Sequence, residues 1–187
     1  NLIFSNKSIN RYIQIQPKIQ KDKSENLQRL RENINEIKNC KLKENASNLV
    51  FSDGNPNSKV MIVGEGPGAN EDKEGLPFVG RAGQLLDKML HAINLSRKNV
   101  YITNVVNYRP PENRKPTEKE VERYLPYLKK HIEIIKPQII LLLGSTAMSA
   151  ILQDTDVISK MRGKWYEIEI NKCKLSSIVS FHPAYLL

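Results

Sequence analysis

Three short apolar runs, separated by stretches of helical periodicity, constrain this chain more than any other feature of its sequence. Residues 60–63, 100–106 and 139–143 each read as a buried strand. Between them, residues 82–95 place Leu85, Leu86, Met89, Leu90 and Ile93 on one helical face. Thr117, followed three residues later by Glu120, opens a second helix with a capping box; it runs to about Lys136 and contains Pro126, a candidate kink. Residues 145–152 read as a third helix. Strands alternating with helices argue for a parallel sheet covered on both faces. Further on, residues 165–170 and 175–178 read as a hairpin across 171–174, its second arm leading into Ser180-Phe181-His182-Pro183. The expected fold is α/β: three layers, α/β/α, around a central, mainly parallel four-stranded sheet. A chain of 187 residues suits one such domain.

That domain is expected over residues 24–187. Ser24 reads as the cap of a helix to about Asn39, with Leu27, Leu30, Ile34 and Ile37 on its buried face. Residues 1–23, rich in Lys, Gln and Asn, read as a tail or docked arm. Residues 64–83 and 108–116 read as long loops. The chain begins at Asn1 and stops at Leu187 inside an informative motif, so further residues are expected beyond both ends. Open α/β sheets bind ligands at the carboxyl ends of their strands. Here three strand ends carry the unusual residues: Gly64 to Gly68, Asn104 and His182.

The net charge of +9 fits a polyanionic partner, and it fits equally a Lys- and Asn-rich composition. Cys40 and Cys173 form no metal-binding or disulfide pattern, and His91, His131 and His182 have no ligand spacing, so a reducing cytoplasm is the simplest compartment. No run of about 18 apolar residues is present, and no transmembrane helix is expected.

Gly64-Glu65-Gly66-Pro67-Gly68-Ala69 fits GxGxxA, a relaxed dinucleotide fingerprint. That motif needs a helix starting within the glycines to meet the pyrophosphate, and Pro67 and the polar stretch to Gly75 are not expected to supply one. The same residues, with Glu71-Asp72, Gly75 and Pro77-Phe78-Val79-Gly80-Arg81-Ala82-Gly83, resemble the first motif of family 4 uracil-DNA glycosylases. Thr103-Asn104-Val105-Val106, Arg109-Pro110-Pro111 and Asn113-Arg114 resemble the middle motif. His182-Pro183-Ala184 with Leu186 resembles the last. Pro137, Leu143-Gly144 and Gly163-Lys164-Trp165-Tyr166 extend the resemblance, which spans roughly residues 37–187.

The resemblance implies a DNA repair enzyme of base excision. It would flip uracil out of single- or double-stranded DNA and hydrolyse its N-glycosidic bond, leaving an abasic site. A flipped base needs a ring to stack on, and Phe78 is the candidate. The Asn104 amide offers a donor and an acceptor that match uracil O4 and N3–H, whereas cytosine presents the reverse. His182 is the candidate electrostatic catalyst, donating to uracil O2 as negative charge builds on the leaving base. The resemblance further implies a water held near Gly66, with Glu65 or Glu71 beside it. Arg109, Arg114, Lys115, Arg162 and Lys164 are candidate phosphate contacts. Tyr185 and Leu186 are candidate wedges for the gap left by the flipped base.

Family 4 enzymes hold a four-iron cluster with four cysteines, at positions corresponding to Ile37, Cys40, Tyr108 and Tyr124. Only Cys40 remains, and a cluster needs several thiolates. No cofactor and no metal are therefore expected; Ile37 and the two tyrosines suggest an apolar and aromatic plug. The partner is expected to be uracil-containing DNA, bound by a monomer in the cytoplasm, associated with the nucleoid. Two other readings stay open: a uracil- or DNA-binding module of the same fold with weak or no turnover, and a small-molecule nucleotide binder.

Overall fold

The computed structural model of the chain describes residues 11–187, with side chains from Asp22 onward. Helix α1 (Arg11–Asn35) and the short α2 (Lys41–Asn45) precede the sheet. The strands are β1 (Asp53–Gly54), β2 (Val60–Gly64), β3 (Val100–Asn104), β4 (Ile139–Leu143), β5 (Trp165–Ile170) and β6 (Cys173–Ser180). Between them lie α3 (Ala69–Glu74), α4 (Arg81–Ala92), α5 (Glu118–Ile135), α6 (Ser145–Leu152) and α7 (Ile158–Met161). The sheet runs β1-β3-β2-β4-β6-β5. Its four inner strands are mutually parallel, as expected, and the two edges are antiparallel.

Alternation along each strand sorts the core into two layers. Met61, Val63, Tyr101, Ile140, Leu142, Leu175 and Val179 face α1, α5 and α6. Ile62, Val100, Ile102 and Leu143 face the other way, against Leu86 and Leu90 of α4. Both faces of the inner strands are thus covered, which is why their sequences read as near-continuous apolar runs. Within the first layer His131 is fully enclosed: its Nδ1 lies 3.0 Å from the Tyr101 hydroxyl and its Nε2 has no partner among the described residues. Burial pushes it down to about 3, so it is a neutral core side chain.

Several boundaries differ from the sequence reading. The first helix is already running at Arg11 and passes through Ser24, so Ser24 is no cap. Residues 1–10 of the expected tail lie outside the described residues, and residues 11–23 belong to α1. Leu27, Leu30 and Ile34 are buried as expected, while Ile37 sits past the helix end and is half-buried. The loop 64–83 contains α3, which begins directly after Gly68. Helix α4 stops at Ala92, leaving Ile93 64% exposed rather than on the inner face. The hairpin turn is two residues, not four: Asn171 and Lys172 both take positive φ (49° and 65°), the turn geometry that matches strand twist. The capping box at Thr117 and Glu120 forms as read, and α5 continues through Pro126.

Candidate active site

Register brings the strand ends level. Gly64 of β2 lies beside Asn104 of β3, and Leu143 of β4 beside Ser180 of β6. The loops leaving these ends enclose a cavity of about 350 Å³. Glu65, Gly66, Glu71, Phe78, Asn104 and His182 all line it, so the six residues expected to handle the base and the water converge. Arg114 and Tyr185 reach its mouth, together with Pro110, Asn113 and Pro116. Arg109, Lys115, Arg162, Lys164 and Leu186 do not line it.

Phe78 and His182 form one wall, their rings stacked with centroids 5.5 Å apart. Phe78 is 5% exposed but sits in a loop with φ at +56°, so its ring is held by the loop and not by a regular element. Asn104 is 3% exposed at the end of β3. A buried amide facing a cavity must find its partners in a ligand or in solvent. His182 caps the short 3-10 helix Pro183–Leu186, its Nδ1 accepting from the Ala184 amide at 3.2 Å. That bond assigns the proton of the neutral ring to Nε2. Burial pushes His182 below the usual histidine range, against an opposing pull from Glu65 and Glu71, so the ring is a neutral donor at pH 7.

The two carboxylates differ. Glu71 Oε2 accepts from the Gly68 amide at 3.1 Å, and Oε1 accepts from the amides of Val79 and Gly80 at 2.9 and 2.8 Å. It staples the glycine loop to the loop carrying Phe78. Glu65 instead accepts from the Thr146 hydroxyl at the start of α6, which orients it beside the cavity. Thr146 escaped the sequence reading; its signal was a pair of short polar residues, Ser145-Thr146, directly after the third strand.

A helix does begin within reach of the glycines, contrary to expectation. Its six residues are capped from within by Glu71, so a pyrophosphate there would meet a carboxylate. That geometry, rather than a missing helix, is what disfavours a dinucleotide.

The basic residues around the mouth are partly engaged within the chain. Arg114 forms a two-pronged ion pair with Glu120 at 2.8 and 2.7 Å. Arg109 donates to Asn113 at 2.8 Å, and Lys115 to Ser145 at 3.1 Å. Arg162 lies 4.6 Å over the Phe181 ring, which in turn packs on Tyr185. Tyr185 and Leu186 are 76% and 53% exposed, placed as wedges would need to be.

Within the core layer that packs α1, Cys40, Tyr108 and Tyr124 are buried together. Cys40 Sγ lies 3.2 Å from the Tyr124 hydroxyl, and the Tyr108 hydroxyl donates to Asn35 at 3.2 Å. Burial, and the neighbouring Cys40, push both phenols above the usual tyrosine range. One thiol, two phenols and an isoleucine do not fit an iron–sulfur cluster. Among the described residues no group of three or more His, Cys, Asp or Glu could hold a metal ion.

Residues 51–187 match the family model described as the uracil DNA glycosylase superfamily, the class to which this sheet and strand-end pocket point. The chain is 42% identical to the type-4 uracil-DNA glycosylase of Sulfurisphaera tokodaii over 168 residues, 87% of this chain and 76% of that protein. It is 43% identical to the type-4 enzyme of Archaeoglobus fulgidus (82% and 79% covered) and 43% identical to that of Thermotoga maritima (83% and 80%). The chain belongs to the type-4 uracil-DNA glycosylase family of that superfamily.

Proposed function

We propose that this protein is a monofunctional uracil-DNA glycosylase of DNA repair. The observation that carries the reading is the meeting of Phe78, Asn104, His182 and Glu65 in one cavity at the strand ends. Uracil, flipped from the helix, stacks on Phe78 while Asn104 pairs with its O4 and N3–H. Cytosine would leave both groups of the amide opposed, at about 1–3 kcal/mol for each buried polar group left unpaired. The C1′–N1 bond breaks towards a uracil anion, whose O2 accepts a hydrogen bond from the Nε2–H of His182. A water oriented by Glu65 bonds to C1′, and its proton passes to the carboxylate. The water falls to Glu65 rather than Glu71, because both oxygens of Glu71 already accept backbone N–H groups.

Arg109, Arg114, Lys115, Arg162 and Lys164 are proposed to hold phosphates on either side, with Tyr185 and Leu186 filling the vacated stack. The protein is proposed to act as a monomer, on uracil in both single- and double-stranded DNA. No helix among the described residues is long and apolar enough to cross a membrane.

An oligonucleotide with one uracil, incubated with the protein and then treated with alkali, is expected to break at that position. Without alkali it is expected to stay intact, since among the described residues no lysine lines the cavity for Schiff-base chemistry. Intact strands after alkali, for both substrate forms at low salt, would leave a binding module with no turnover. The protein is further proposed to work without iron, given the packing of Cys40 against Tyr124. The purified protein is expected to be colourless; stoichiometric iron by elemental analysis would overturn this.

A further inference from the structure

The loop carrying Phe78 is held in a conformation that a bulky side chain resists. Phe78 has φ at +56°, in the left-handed region that non-glycine residues seldom occupy. This turn sends its carbonyl outward, away from the cavity that its ring lines. There the carbonyl meets α4: a Cβ on Gly83 would lie 1.7 Å from Phe78 O, so only glycine allows the approach. It also meets Arg97, which lies outside the cavity. Arg97 Nη2 donates to the Phe78 carbonyl, and Nη1 to the Pro77 carbonyl at 3.0 Å. The guanidinium is itself fixed, by Asp53 of β1 at 2.7 Å and Asp87 of α4 at 2.9 Å. The amides on the other side, of Val79 and Gly80, go to Glu71.

We infer that Arg97 is a positioning residue for uracil recognition, clamping the carbonyls of Pro77 and Phe78 so that the Phe78 ring stays flat against the flipped base. The inference rests on the glycosylase reading for its substrate and adds a residue outside the pocket to it. The chemistry suits the task. A planar guanidinium presents several donors in a rigid fork, so one side chain can grip two successive carbonyls while two carboxylates hold two more of its N–H groups. A lysine has the charge without the fork. The two-residue strand β1, too short to matter as sheet, earns its place by delivering Asp53.

The test is a double-mutant cycle on single-turnover excision of uracil at subsaturating enzyme. Arg97→Met is expected to slow excision by about tenfold or more, the usual consequence of losing hydrogen bonds from a charged donor. Arg97→Lys is expected to recover only part of this. Inhibition by free uracil is expected to weaken in parallel, because the ring acts on the bound base. In a Phe78→Ala background, Arg97→Met is expected to change the rate by less than about twofold, since the ring that the clamp positions is gone. Full additivity of the two substitutions would overturn the inference. Hydrogen exchange at the Val79 and Gly80 amides reads the clamp without any substrate and is expected to quicken in Arg97→Met; unchanged exchange there would also overturn it. Should Arg97→Met fail to fold, Asp87→Asn carries the same cycle with a smaller effect. Loss of wild-type excision would refute the glycosylase reading instead, and the exchange measurement would still decide the clamp.

Discussion

Replacing His182 with alanine is expected to slow single-turnover release of uracil by roughly a hundredfold to a thousandfold, the usual cost of removing one well-aimed donor from a dry site. DNA affinity is expected to change little. The asymmetry follows from when the charge appears. Uracil O2 is a weak acceptor in the bound substrate and a strong one as the glycosidic electrons move onto the base, so the Nε2–H stabilises the second state far more. The His182 ring is prepared for this. Its Nδ1 accepts from Ala184, which keeps the proton on Nε2, and burial holds the ring neutral. A neutral donor matches a leaving group that gathers charge without being protonated. Saturating enzyme isolates the chemical step from product release. A near-normal rate in the alanine variant would return His182 to a packing role against Phe78 and shift the catalytic weight to Glu65 or to backbone donors near Gly66.

Gly64→Ala is expected to be nearly as damaging, for a steric reason. A Cβ at this position would lie 2.4 Å from Asn104 Oδ1 and 2.6 Å from Phe78 Cζ. The residue proposed to read the base edge and the ring proposed to support the base would both have to move. Both are buried, at 3% and 5% exposed, and the Phe78 backbone is pinned by Arg97, so the space open to the two side chains is the cavity itself. Loss of a buried polar contact and of base stacking, each worth about 1–3 kcal/mol, compounds to a fall in excision on the order of a hundredfold or more. Discrimination against cytosine should fall with it, because a displaced amide no longer tests the base edge. Thermal denaturation separates this from unfolding: the variant is expected to melt cooperatively within a few degrees of the parent. A variant that kept both rate and discrimination would show that Asn104 and Phe78 do not jointly form the uracil site.

The parts of this architecture that were legible beforehand are those that repeat a physical pattern over several residues. The buried parallel strands, read at 60–63, 100–106 and 139–143 and found at 60–64, 100–104 and 139–143, announce themselves as apolar runs, and α5 by its capping box. What escaped is short or depends on partners distant in sequence. Helix α3 has six residues, fewer than two turns, too few to show a period. Strand β1 has two. The start of α1 was misplaced because a serine suited to capping also sits tolerably within a long polar helix. At the site, the residue types that meet in the pocket were readable from the ordered motifs, but their division of labour was not. Glu65 and Glu71 look alike in sequence; only the fold reveals that one is consumed by three backbone amides and the other steadied by Thr146. Arg97 carried no signal at all, being one of 29 basic residues until Asp53, Asp87 and two carbonyls surround it.

The order β1-β3-β2-β4-β6-β5 also governs how the molecule comes together. Among the described residues, only the β5–β6 hairpin joins strands that follow one another through a tight turn. Every other pairing, such as Val60 with both Val100 and Ile139, closes a long stretch of chain before any contact rewards it. Asn104 arrives with β3, Glu65 with β2, Thr146 with β4 and His182 with β6. A nascent or partly refolded chain therefore holds fragments of the cavity and never a working subset. The cavity is thus complete only once the sheet is complete.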